Sequence, residues 1–487
     1  MKPDSYNCLV NGKWISSSDG KTFEDFNPAD SRDIVGIFPD LAVQDVSAAV
    51  DAAAKALPGW RALGMAKRAQ VLEKAAQVLE KRLEEVAQAL TREEGKTLME
   101  SRGETARAVA ILKFYAAEGS RPLGEVIPSA NPKTLLYTTR VPLGVVSLIT
   151  PWNFPVAIPM WKMAPALIFG NTVVLKPASL APLTSILLGK VMEEAGVPPG
   201  VVNVVTTRRR DAGEVLVKHP EIKALSFTGS AETGRHLAKI ACENGKKYQL
   251  EMGGKNPVIV AEDADLDQAA ELTVSGTMRS AGEKCTATSR AIVVGRAHRE
   301  FTGKVVTRVK ALKLGPGTDP DSYLGPVISE EARQSILSLI EAGKKEGAKL
   351  LAGGSIPKGG QFAHGFYVEP TVFDEVSPKA RIAREEIFGP VLAIIPAGTL
   401  AEAIAIANDV EYGLSASLFT KDLNSVLDYA EQIEAGLVRV NGETAGVEPH
   451  APFGGMKGSS SYSREQGRAA MEFYTQIKTV YVDRAGK

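Results

Sequence analysis

Apolar residues recur at helical spacing from Leu41 to Ala62 and again from Ala66 to Thr91, in stretches rich in Ala, Leu, Glu, Lys and Gln. That spacing and composition predict two long helices. The segment "KTLMESRGETARAVAILKFYAAE" from Lys96 continues the helical character. After Arg121 the period shortens. "TLLYTTRV" alternates polar and apolar residues as a strand with one exposed face does, and "GVVSLIT" is a continuous apolar run suited to a buried strand.

From there the two patterns take turns. "NTVVLK", a helix from Pro182 to Glu194, "VVNVV", a helix after Asp211, "IKALSFTG" and a helix from Ser230 follow in order. Buried β-rich runs followed by amphipathic helices predict a parallel, doubly wound sheet. A second series begins near Glu251 with "NPVIVA", a helix from Asp265, "RAIVVG", helices around Val305 and Ile336, then "PVLAIIPA", "GLSASLFT" and "GLVRVNG". It predicts a second α/β unit. The last alternating strand, "IKTVYVD", has no neighbour in this series, and "TLLYTTRV" is its expected partner. Strands projecting in this way have exposed edges, which proteins usually cover by pairing with another subunit. No internal repeat or low-complexity segment interrupts the pattern.

Composition narrows the picture. The chain has 487 residues, a length that suggests roughly three domains. Its 44% apolar and 23% charged content is that of a globular protein, and 57 basic residues balance 57 acidic ones. That balance gives no electrostatic reason to expect nucleic acid or an anionic membrane as partner. The most apolar stretch, Val141 to Gly170, is interrupted by five prolines and so does not predict a membrane helix. The N-terminus lacks the apolar core of a signal peptide. Three dispersed cysteines suggest no disulfide framework, and a reducing, cytoplasmic setting is expected. The five histidines are isolated from one another and from the cysteines, so no metal site is expected.

Five short stretches carry candidate chemistry. Cys285, in "SAGEKCTATSR", follows a predicted helix and lies among small and polar residues. Free cysteines are mostly buried structural residues. Here charged Glu283 and Lys284 argue against an apolar plug, and Lys284 or nearby backbone N–H groups would favour a thiolate. A nucleophile needs a base. His450 in "EPHAPFGG" stays open, and Glu251 is the other choice. It ends an apolar strand in "QLEMGGKNP", where two glycines leave space and partial burial would raise its pKa. A lone glutamate is more often a solvated charge.

"FTGSAETG" places Gly229 and Ser230 at a strand-to-helix junction, where backbone N–H groups can hold a phosphate. Alone that is a weak signal. "VVLKPAS" ends another buried strand on Lys176, at the sheet edge where ligands bind. Asn153 in "LITPWNFPVAIPMWK" is either a turn residue or a donor to a developing oxyanion.

Together these stretches resemble the aldehyde dehydrogenase superfamily. "PWNFP", "LKPAS", "FTGSAETG", "EMGGKNP", "GEKCTATSR", "EEIFGPV" and "PFGGMKGS" occur in the family's order, and Glu251 and Cys285 are 34 residues apart, as the family usually has them. The resemblance implies two doubly wound parallel-sheet domains plus a small β oligomerisation domain. The dinucleotide-binding domain would comprise 1–122 and 145–250, the catalytic domain 251–450, and the oligomerisation strands and tail 123–144 and 451–487. It also implies a homodimer or homotetramer.

For the site, the resemblance implies Cys285 as nucleophile, Asn153 as oxyanion donor with the Cys285 N–H, Glu251 as base, and Lys162 as an aid to proton relay. It puts the dinucleotide against Thr150, Trp152, Lys176, Ser179, Gly229, Ser230, Met252, Glu386 and Phe388. Two departures bear on the coenzyme. Ser179 stands where NAD-preferring members often have a glutamate, and "TTRRRDAG" replaces a glycine-rich turn. A serine accepts a 2′-phosphate that a carboxylate repels, with Arg209 and its neighbours Arg208 and Arg210 as further contacts. NADP is therefore expected to be accepted, alongside NAD.

The substrate-side stretches look most like those of the 2-oxoglutarate semialdehyde (2,5-dioxopentanoate) dehydrogenases. A carboxylated aldehyde needs a cation, for which Arg279 is the candidate. Succinate semialdehyde and simple aliphatic or aromatic aldehydes are the alternatives. A CoA-acylating enzyme, a catalytically silent binding protein and a cysteine hydrolase are the rival functions.

Overall fold

The strand Val145–Ile149 lies inside a seven-stranded sheet, with Ile222–Thr228 on one side and Thr172–Lys176 on the other, all parallel. Beyond them run Lys247–Glu251 and Val202–Val204, also parallel. The N-terminal hairpin Cys8–Val10 and Lys13–Ile15 closes the far edge in antiparallel fashion. Chain order reverses beside Val145–Ile149: the next two strands are laid on one side and the following two on the other. This is the topological switch at which open α/β sheets bind ligands. The structure, a computed structural model, describes residues 3–484. Residues 1–2 and 485–487, which fall in the expected N-terminal domain and tail, lie outside the described residues.

A second seven-stranded sheet carries the strands from Asn256–Val260 to Leu437–Val440. Its ladder is parallel except for Lys349–Ala352, which is antiparallel to Thr371–Asp374. The third piece is small. Thr134–Pro142 pairs antiparallel with Thr475–Asp483 along its full length, from Thr475 opposite Pro142 to Asp483 opposite Thr134. The two-residue strand Val126–Ile127 flanks it. Leu135, Ile477, Tyr481 and Val482 are exposed there.

One helical expectation needs correction, and one helix was not anticipated. Ala66 to Thr91 is not one helix but Gly64–Lys81 and Leu83–Glu94, divided at Arg82, whose backbone leaves the helical region at ψ 10°. The proline-rich stretch contains a helix the periodicity did not reveal, Ala157–Ile168. Every residue in it is buried, so no polar face exists to produce a 3.6-residue alternation. Pro159 lies in its first turn, where a missing N–H breaks no intrahelical bond. This helix packs under the first sheet and carries Lys162 into the core. No described helix is long and apolar enough to cross a membrane.

Candidate active site

Four strand ends of the first sheet supply one wall of a long cleft: Ile149 leading to Trp152 and Asn153, Lys176, Thr228 leading to Ser230, and Glu251. A cavity of about 370 Å³ at its outer end is lined by Lys176, Ser179, Arg209, Arg210, Thr233 and His236. A second, of about 250 Å³, is lined by Trp152, Asn153, Gly229, Ser230, Met252, Cys285, Glu386 and Phe388. A third, of about 290 Å³, opens on the other side of Cys285 between Phe154, Trp161, Phe453 and Val447. The sulfur is thus where two cavities meet.

The loop bearing Cys285 is held by backbone contacts. The helix Leu266–Met278 ends just before it, and Ser280 and Ala281 then take φ of 52° and 49°, a region costly to non-glycine residues and often used where a site is preformed. Asn256 donates from Nδ2 to the carbonyls of Cys285 (2.8 Å) and Ala287 (2.9 Å), while its Oδ1 accepts from the Ser415 N–H. Asn153 Nδ2 donates one proton to the Glu283 carbonyl at 2.9 Å. An amide nitrogen has a second proton, and the bond to Glu283 fixes which end of the amide faces the cavity. The Asn153 carbonyl accepts from Lys96 Nζ at 2.6 Å, and Lys96 pairs at 2.6 Å with Glu104. Glu104 in turn accepts the N–H groups of Val156 and Ala157.

Burial pushes the Cys285 thiol up to about 12, with the nearby Glu386 and Glu251 carboxylates adding to the rise. The N–H groups of Thr286 and Cys285 pull the other way. Of the two expected thiolate stabilisers, the backbone amides therefore act on the sulfur. Lys284 turns into the third cavity instead. Glu283 and Lys284, whose charge argued against an apolar plug, are themselves both buried.

Glu251 is also buried, and that burial with the neighbouring Glu465 holds its carboxyl well above the usual range. Its Oε2 accepts from Ser460 and its Oε1 has no partner. The two glycines after it do not leave empty space. A Cβ on Gly253 would stand 2.1 Å from Glu386 Oε2, and one on Gly254 would stand 2.7 Å from the Cys285 carbonyl oxygen. Glu386 accepts the Gly254 N–H at 2.9 Å, and burial lifts its carboxyl to about 7. Phe388, at φ 53°, meets Trp152 edge to face at 5.4 Å.

Other expected residues fall at varying distances from this centre. Lys162 is wholly buried, donating to Ser226 at 2.9 Å and to Glu465. Glu465 was missed in the sequence, since nothing in "SREQG" marks one carboxylate as a core residue. Ser230 caps the helix Ala231–Glu243, accepting the Thr233 N–H. Thr150 is buried, donates its N–H to the Lys176 carbonyl and has an unpartnered hydroxyl. Arg209 lines the outer cavity, but its guanidinium is engaged by Asp19 in two bonds and by Asp40. Arg210 keeps a largely exposed side chain beside His236 and Glu214. His450 is exposed and lines none of these cavities, and no histidine lines either cavity that reaches Cys285. Among the described residues, the histidine partner of a protease-type cysteine is therefore not found beside the sulfur.

The third cavity bears three cations, Arg107, Arg279 and Lys284, and three carboxylates, Glu100, Glu104 and Glu443. Glu104 is bound to Lys96, and Glu100 accepts from Thr97 and Ser280. Arg279 lies over the Tyr323 ring at 4.6 Å.

A cleft that crosses the strand ends at a topological switch is where a doubly wound sheet holds a dinucleotide, and here it ends at the Cys285 thiol. The model of the aldehyde dehydrogenase family matches residues 14–480. The chain belongs to that family and is an NAD(P)-dependent enzyme that oxidises aldehydes. It is 51% identical over 479 residues to alpha-ketoglutaric semialdehyde dehydrogenase of Bacillus subtilis, covering 98% of each chain. The alpha-ketoglutarate semialdehyde dehydrogenase of Haloferax volcanii is 44% identical, over 97% of this chain and 98% of its own. Among solved structures, betaine aldehyde dehydrogenase of Staphylococcus aureus in complex with NAD+ gives a TM-score of 0.95 at 34% identity, over 98% of this chain and 94% of that one. An NADP dependent enzyme of E. coli gives 0.95 at 36%, over 99% and 98%.

Proposed function

We propose that the protein oxidises 2-oxoglutarate semialdehyde to 2-oxoglutarate and takes NADP as well as NAD. The observation that carries this is the cavity on the far side of Cys285, where Arg107, Arg279 and Lys284 line a pocket large enough for a small carboxylated aldehyde. The names of the two semialdehyde dehydrogenases it resembles agree with that chemistry.

The outer two cavities suit a dinucleotide. The hydroxyls of Thr150 and Thr228 are buried without partners, and Gly253 leaves only enough room for the Glu386 carboxylate. Lys176 would meet the adenosine ribose, Ser230 the pyrophosphate and Glu386 the nicotinamide ribose, with Phe388 beside it. Ser179 and Arg210, which carry no negative charge, line the end where a 2′-phosphate would sit. NAD(P)+ supplies the acceptor for a hydride.

Cys285 gives its proton to solvent in the cleft, and its thiolate then adds to the aldehyde carbon. The resulting oxyanion takes the second Asn153 amide proton and the Cys285 N–H, donors worth on the order of 3 kcal/mol each. Loss of hydride from that carbon leaves a thioester on Cys285. Glu251 then removes a proton from water through its free Oε1, hydroxide adds to the thioester carbonyl, and the C–S bond breaks to release the acid. Lys162 with Glu465 carries the proton onward. The base beside the thioester favours water over CoA as acceptor. The three-stranded sheet with its exposed apolar residues is the surface by which subunits assemble into a homodimer or homotetramer.

The test is a panel of aldehydes crossed with NAD and NADP, followed at 340 nm with and without CoA. Fastest turnover of 2-oxoglutarate semialdehyde, with free acid as product, is expected. A preference for uncharged aldehydes, or a requirement for CoA, would overturn the reading.

A further inference from the structure

The stretch "GSSSYSREQG", Gly458 to Gly467, brings three consecutive serines to the edge of the catalytic centre. Ser460 pairs with Glu251 in an isolated antiparallel bridge, and Met252, the residue after Glu251, donates its N–H to the Ser459 carbonyl at 2.7 Å. The Ser460 hydroxyl accepts the Gly455 N–H at 2.6 Å and lies 2.5 Å from Glu251 Oε2. A serine hydroxyl has one proton to give. With an N–H already pointing at its oxygen, that proton goes to the carboxylate.

We infer that Ser460 is the positioning residue for the water-activating step, holding Glu251 by Oε2 so that Oε1 alone faces the thioester. The inference rests on the reading of Glu251 as the base. Three features of the surroundings agree with it. Oε1 is buried and unpartnered, so no other described residue competes for it. A Cβ at Gly454 would stand 2.9 Å from that same oxygen, so a glycine there keeps its approach clear. The terminal torsion of a glutamate is broad and weakly restrained, and Ser460 is its one hydrogen-bond partner among the described residues.

Ser460 also acts on the charge of the base. Glu251 faces Glu465 and the Cys285 sulfur, which disfavour a second negative charge, and Lys162 and Arg464, which favour it. The Ser460 hydrogen bond is on the favourable side. Without it, burial and Glu465 act with less opposition, and a higher pH is needed to ionise the carboxyl.

The experiment uses the full-length enzyme with 4-nitrophenyl acetate and no coenzyme. Attack of the Cys285 sulfur on the ester expels nitrophenolate in a burst and leaves an acetyl thioester. Steady release then reports its hydrolysis by water. Ser460→Ala is expected to keep the burst, slow the steady phase roughly ten-fold at neutral pH, and raise the pH midpoint of that phase by about one unit, the size of one hydrogen bond to a charged group. Ser460→Thr, which keeps the hydroxyl, should restore both. A wild-type midpoint and hydrolysis rate in Ser460→Ala, with a stalled acyl-enzyme in Glu251→Gln, would overturn the inference and leave the base intact. Equal loss of burst and hydrolysis in both Ser460 variants would also overturn it. Hydrolysis at the wild-type rate in Glu251→Gln would remove the base on which it rests.

Discussion

The Asn153 amide spends one proton on the Glu283 carbonyl and keeps the other for the cavity. Asn153→Ala should therefore lower kcat by roughly 10²–10³ with little change in aldehyde KM, because the lost donor acts on charge that develops only in the transition state. Lys176 makes a second case. Burial brings its ammonium down to about 8, so it is charged below that pH and neutral above it. The kcat/KM for NADP, which reports the free enzyme, should fall as pH rises through 8, and more steeply than that for NAD. Ser179→Glu should depress NADP use further. On the substrate side, Arg107→Gln and Lys284→Met should each raise KM for the semialdehyde several-fold while leaving pentanal unaffected. Steady-state kinetics with the two aldehydes check it, and equal effects on both would show that these cations do not recognise a carboxylate.

What the sequence disclosed at this scale was reactive residues in recognisable settings, such as Cys285 among small neighbours and Lys176 at a strand end. Asn256, Lys96 and Glu465 were not legible. Asn256 and Lys96 act through backbone carbonyls, and Glu465 through a buried ammonium, all far away along the chain.

At the level of elements, the site depends on segments fastened from beneath. Lys96 joins the loop after one helix to the backbone of Asn153, and Glu104, from the next helix, secures the turn that follows. All of these groups are buried. Lys96→Met would leave Glu104 without its cation, a change that costs about 3–5 kcal/mol for a buried pair. Thermal or denaturant unfolding should show it, with partial recovery in Lys96→Arg. The helix Ala157–Ile168 explains why some elements escaped the pattern of the chain. An element buried on every side has no polar stripe, and its prolines resemble those of a loop. The divided helix at Arg82 was hidden for the opposite reason, since one non-helical residue does not disturb the apolar spacing around it.

Over the whole molecule, the alternation of strands and helices carried the architecture. Two parallel sheets and one projecting pair of strands follow from it because parallel strands need crossover helices and lone alternating strands need an outside partner. How the sheets face each other across Cys285 was not visible, since that depends on side chains meeting from distant segments. The projecting sheet gives a further expectation. Ile477→Lys together with Tyr481→Glu places charge on an exposed apolar edge, and light scattering should show smaller particles than the unaltered enzyme forms.

The upward shift that burial imposes on the Cys285 thiol has a practical side as well. Peroxide and alkylating agents react with the sulfur anion far faster than with the thiol. An enzyme without substrate should consequently age slowly in an oxidising buffer at neutral pH and faster as the pH rises, while an aldehyde bound to the sulfur should slow the damage further.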